Sequence, residues 1–153
     1  MLWSVSALHE AASAGDLHVV EYLVAHGGLV NAKTRRGNTP LHLAAHEGCI
    51  NVVKYLVAHG ASVDAVNREG DTPLHLAAWC GRLTIAKCLV DEGKANIFMR
   101  NSAGELPYQT GRWTVAHGYL TDCAWEPILA AARKALVKLP EDIFIHMTTF
   151  LTV

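Results

Sequence analysis

Thr39-Pro40-Leu41-His42-Leu43-Ala44-Ala45 returns letter for letter, 33 residues on, as Thr72-Pro73-Leu74-His75-Leu76-Ala77-Ala78. A seven-letter identity at a fixed offset marks a chain built from copies of one supersecondary unit. The same offset carries Gly48 to Gly81, Leu56 to Leu89, Val57 to Val90 and Gly60 to Gly93. One period earlier, Ser6-Ala7-Leu8-His9-Glu10-Ala11-Ala12 is a worn copy, followed in register by Gly15, Leu23, Val24 and Gly27. A fourth unit follows one inserted residue, most simply Lys94, since Gly70 finds its counterpart at Gly104 and Pro73 at Pro107. Its continuation, Tyr108 to Trp113, lacks the Leu-His-Leu-Ala-Ala letters. It reads as a degenerate terminal repeat, tolerated where a unit has a neighbour on one side only.

Each letter of the unit has a physical task. The hydroxyls of Thr39 and Thr72 are suited to cap a helix, and Pro40 and Pro73 have the fixed φ of a first helical residue and no N–H to leave unpaired. Leu41, Leu43 and Ala44 supply an apolar face, and Gly48 or Gly81 ends this short first helix. Val52, Val53, Leu56 and Val57, like Ile85, Ala86, Leu89 and Val90, recur at the spacing of a second amphipathic helix, stopped by Gly60 or Gly93. The polar stretches from Asn31 to Gly37 and from Asp64 to Gly70 end in Gly and read as β-turns protruding from one edge.

The pattern Gly-x-Thr-Pro-Leu-His-Leu-Ala-Ala-x-x-Gly, filled almost completely by residues 34–66 and 67–100, resembles the ankyrin repeat. The resemblance spans residues 1–122, as units 1–33, 34–66, 67–100 and a degenerate 101–122. It implies an all-α, right-handed, slightly curved solenoid of about four helix-turn-helix repeats. The first helices and the turn tips would form its concave side. It also implies a function: members of this family are protein-binding modules.

Composition agrees with one compact domain, and 51% hydrophobic residues in 153 is too apolar for a disordered chain. A formal net charge of -1 gives no long-range field to gather nucleic acid or an anionic membrane. Cys49, Cys80, Cys88 and Cys123 form no C-x-x-C pair, so free buried thiols in a reducing compartment are expected. The first residues lack the basic and apolar regions of a secretory signal, and Gly, His, Asp or Lys interrupts every apolar run well short of the roughly 18 residues that suggest a membrane span. A soluble, monomeric, intracellular protein, cytoplasmic or nuclear, is the expectation.

Nine histidines invite a metal reading, yet His9, His42 and His75 share one repeat position, and His26 and His59 share another. Successive copies on helices packed about 8–10 Å apart are too far apart to share one ion with ligand bonds of about 2 Å. The family resemblance gives the Thr-Pro-Leu-His histidine a structural role in the turn network. The chain has no nucleophile elbow, phosphate-binding loop, H-E-x-x-H or G-x-G-x-x-G motif. No catalytic residue, metal or cofactor is assigned.

Past the stack, residues 123–153 read as a helical cap. Ile128, Leu129, Ala132, Leu136 and Leu139 lie at helical spacing after Pro127. Leu139-Pro140-Glu141, running on to Leu151, resembles the opening of an F-box, although an F-box is about three times longer than the segment from Leu139 to Val153. The resemblance implies a Skp1-like adaptor of a cullin ubiquitin ligase as partner. A plain cap and a truncated relic are the other readings.

The binding face follows from register. The thirteenth position of each unit holds Ser13, His46, Trp79 and Trp113, and the family resemblance aims it into the concave groove. Trp79 and Trp113 are candidate anchors, although both have a packing reading, Trp113 under the C-terminal helix and Trp79 against it. Arg35, Arg36 and Asn38 in one turn tip, and Arg68, Glu69 and Asp71 in the next, are the candidate polar rim.

Overall fold

In the computed structural model the backbone of residues 3–110 and the side chains of residues 7–110 are described. Two units divide the chain, Met1–Asp122 and Cys123–Val153, and the described residues all belong to the first. Every regular element among them is a helix: α1 (Trp3–Ala14), α2 (Leu17–Ala25), α3 (Pro40–Glu47), α4 (Ile50–Ala58), α5 (Pro73–Trp79), α6 (Leu83–Asp91) and α7 (Pro107–Thr110). Helices α1, α3, α5 and α7 pack one against the next, as do α2, α4 and α6, and α1, α3 and α5 pack on α2, α4 and α6 of their own units. The result is two layers of helices in sequence order.

The repeated letters line up as columns through the core. Leu8, Leu41 and Leu74 form one, Ala12, Ala45 and Ala78 another, and Val20, Val53 and Ala86 a third; all are essentially inaccessible to water. Alanine in the first helices lets successive backbones approach, while Leu56 and Leu89 fill the space between layers. Unit one has an alanine, Ala7, where the later units have proline, and α1 runs back to Trp3 instead of starting at the cap.

The second helices of the first two units end in matching caps. In α4, Gly60 at φ 82° donates to Val57 and Ala61 donates to the Leu56 carbonyl; Gly27, Gly28, Val24 and Leu23 repeat the arrangement in α2. This is the glycine cap in which a left-handed residue redirects the chain. The third unit departs from the expectation that Gly93 stops α6 in the same way. There the left-handed residue is Lys94, at φ 57°, and Ala95 donates to Leu89 across a loop one residue longer. The insertion is absorbed at this cap and the core columns stay in register.

The turns are built alike. Gly37 donates to Thr34, Gly70 to Asn67 and Gly104 to Asn101, and the Thr34, Asn67 and Asn101 side chains accept the N–H of Asn38, Asp71 and Glu105. Backbone bonds also join neighbouring turns, from Arg68 N–H to the Arg36 carbonyl (3.0 Å) and from Ser102 N–H to the Glu69 carbonyl (2.9 Å). A Cβ on Gly37 would meet Arg68 N and Asn67 Cα at 3.1 Å, so this close approach requires glycine.

Candidate partner-binding surface

The repeated histidine explains why the turn tips are rigid. His42 and His75 are buried third residues of their helices, and each Nδ1 accepts the N–H of its own cap residue, Thr39 (3.1 Å) or Thr72 (3.2 Å). Because a backbone N–H only donates, Nδ1 carries no proton and Nε2 does. Nε2 then donates into the next unit, from His42 to the Asp71 carbonyl (3.0 Å) and from His75 to the Glu105 carbonyl (3.1 Å). His9 reaches the carbonyls of Ala32 and Asn38 in the same way. Burial holds His42 well below its ordinary value, at about 4, with Lys33 adding to the effect and the Asp71 carbonyl opposing it; burial also lowers His75. Both rings are therefore neutral hydrogen-bonding parts of the scaffold at physiological pH. Among the described residues no group of three or more His, Cys, Asp or Glu side chains is placed to hold a metal ion.

Two of the rim candidates have their polar atoms turned into this scaffold. Asn67 Nδ2 donates to Asn38 Oδ1 at 3.0 Å, and Asn101 Nδ2 donates to Asp71 Oδ1 at 2.9 Å, both acceptor residues being half-buried. Arg35, Arg36, Arg68 and Glu69 lie instead at the exposed tips. Lys33 belongs with them: it is exposed, and its Nζ donates to the Val66 carbonyl of the second turn at 2.9 Å. The letters Lys33-Thr34-Arg35-Arg36 carried that signal in the sequence, with no acid among them.

Trp79 is the last residue of α5 and is 60% exposed, although Ala77 and Ala78 beside it are buried. His46, one unit earlier, is exposed with its Nδ1 2.9 Å from Glu47 Oε1. The carbonyl of His46 accepts from Arg82 Nε at 3.2 Å, a cation at the negative end of α3. Trp113, the C-terminal helix expected after Pro127, the segment from Leu139 to Leu151 and Cys123 lie outside the described residues. Sequence reasoning missed a further exposed apolar residue, Leu29 at 67%. It was visible as an apolar letter where the later units have Ser62 and Asn96.

The remaining cysteines are free, and only Cys88 is buried; Cys49 and Cys80 are half-buried. The expectation of uniformly buried thiols fails because Cys49 and Cys80 sit at the junction of the two helices of a unit, at the edge of the layers. Burial raises all three thiols, which keeps them protonated and weakly nucleophilic near neutral pH. No helix among the described residues is long and apolar enough to cross a membrane.

Stacked helix pairs in sequence order, with turn tips locked by histidine, define a helical repeat protein. A model of ankyrin repeats matches residues 8–101 in 3 copies, and the chain belongs to the ankyrin-repeat family, whose repeats generally serve as protein–protein interaction modules. No curated protein matches the chain significantly.

Proposed function

We propose that this chain is a non-enzymatic, monomeric binding module that captures a partner protein on the first helices and turn tips of its stack. Trp79 is the anchor in this reading, with Arg35, Arg36, Arg68 and Glu69 as the rim and His46 beside it; Asn38 and Asp71 position those tips. The observation that carries it is the exposure of Trp79 at the end of a helix whose neighbouring residues are core. An exposed indole gains most of its burial only when a partner arrives, and tryptophan dominates binding energy at such surfaces. Free thiols at Cys49, Cys80 and Cys88 support a reducing compartment, cytoplasmic or nuclear.

The test is affinity purification from the native cell with wild-type and Trp79→Ala chains. Loss of the captured proteins with Trp79→Ala, at unchanged thermal stability, supports the reading. Equal recovery by both chains removes Trp79 from the interface.

A second reading rests on the Leu139-Pro140-Glu141 string: the chain is a substrate receptor whose F-box-like end recruits a Skp1-like adaptor. Copurification of such an adaptor with the full chain, and its loss on deleting residues 139–153, distinguishes this reading from a plain helical cap.

A further inference from the structure

We propose that the first two turn tips form a receptor for an acidic segment of the partner, with Lys33, Arg35, Arg36 and Arg68 as the residues that read its carboxylates. The inference rests on the partner-binding reading above and specifies the chemistry of what is bound.

The first tip has three basic residues and no acid between Asn31 and Asn38. The second brings Arg68 against it, because the Arg68 N–H is bonded to the Arg36 carbonyl and Lys33 reaches the Val66 carbonyl. The two tips are thus fixed relative to one another before any ligand arrives. Among the described residues, none of Arg35, Arg36 and Arg68 takes part in an ion pair, whereas the exposed Lys54 is already paired with Glu92 at 3.3 Å. Guanidinium groups on a pre-organised backbone, with their donors turned to solvent, match carboxylates bidentately.

The occupant is a short acidic peptide stretch and not a nucleic acid, for reasons of extent and chemistry. The basic cluster ends at Glu69, which is exposed on the second tip, and the chain as a whole has a formal net charge of -1. A phosphodiester backbone repeats its charge along its length and would meet that acid, whereas a peptide can place its carboxylates at one end only. The residues from Asn31 to Asn38 include no aromatic ring on which a base could stack.

The test pans a displayed library of random linear peptides against the full wild-type chain and the Arg35→Glu/Arg36→Glu variant. Both substitutions are at exposed positions, so the variant should melt with the wild type; should it unfold, Arg35→Gln/Arg36→Gln takes its place. The wild type should enrich peptides rich in Asp and Glu, their affinity falling about tenfold or more in the variant and weakening as salt screens the pairing. The charge-reversed variant should enrich Lys and Arg in their place. Wild-type selection without acidic enrichment, or acidic peptides held equally by the variant, overturns the proposal. Displacement of the selected peptides by oligothymidylate overturns it too, as the cluster would then be a general polyanion site. Peptides that are not acidic but are lost with Trp79→Ala leave the binding module standing without its acidic preference; no retained peptide at all counts against both.

Discussion

Nε2 of His42 donates to the carbonyl of Asp71 at 3.0 Å, so one imidazole ties the start of α3 to the turn of the following unit. Its Nδ1 simultaneously accepts the N–H of Thr39, and this double use holds only for the neutral ring. Protonating Nδ1 would set a donor against a donor inside the stack.

This arrangement makes stability depend on pH. His42 sits at about 4 in the folded chain against an ordinary 6.5, and His75 is lowered in the same direction. Between those two values the unfolded chain binds the proton and the folded chain does not, so stability is present above about pH 6.5 and falls as pH drops toward 4. The His42 contribution to that loss is on the order of 3 kcal/mol. Urea unfolding across this window should show it, and His42→Gln should flatten the slope.

The same substitution should cost less at neutral pH than His42→Ala. In the fourth unit Gln109 stands where His75 stands in the third, and its Oε1 accepts the N–H of Leu106 at 2.8 Å, preserving the cap without a histidine. Glutamine at position 42 therefore keeps the bond to Thr39 and loses the one to Asp71, for about 1–2 kcal/mol, while alanine loses both and opens a cavity, for about 3 kcal/mol. Equal destabilisation by the two variants would show that the cap bond contributes nothing.

Gly60 and Gly70 separate backbone conformation from contact. Both have positive φ, 82° and 75°, but a Cβ on Gly60 meets nothing within 4 Å, whereas on Gly70 it would lie 2.6 Å from Ser102 N and 2.8 Å from Ser102 Oγ. Gly60→Ala should cost about 1 kcal/mol, the left-handed penalty, and Gly70→Ala about 3 kcal/mol, because the joint to the third turn must open as well. Melting curves that moved equally would mean the joint yields without cost.

Deleting Lys94 should leave the protein folded with its melting temperature within about 5 °C of wild type. Removal restores Glu92-Gly93-Ala95 to the register of His59-Gly60-Ala61 and returns the left-handed position to glycine. The lost bond from Lys94 Nζ to the Asp91 carbonyl is at the surface and of small value. A cooperative loss of structure would show that the fourth unit needs the longer loop in order to stack.

Trp79→Ala and Leu74→Ala, both in α5, should diverge. Leu74 is fully buried, and its truncation should cost about 3–5 kcal/mol of stability. Trp79 is 60% exposed, so its truncation should move the melting temperature by only a few degrees while weakening partner binding about thirtyfold. Unfolding by Trp79→Ala would place the indole in the core.

Repetition is why so much was legible in the sequence. The 33-residue recurrence of Thr-Pro-Leu-His-Leu-Ala-Ala determined the helix pairs, their caps, the turns and the order of stacking, because each unit contacts mainly its neighbours and local letters decide local structure. Tertiary structure alone decided what depends on the space between units. It aimed the Asn38 and Asp71 side chains at the Asn67 and Asn101 amides, and it moved the left-handed cap from Gly93 to Lys94. It also let Gln109 stand in for a histidine and set Arg36 and Arg68 on adjoining, backbone-bonded tips. A side chain's partner across 30 residues of sequence is fixed by packing distance, which no letter pattern within a single unit encodes.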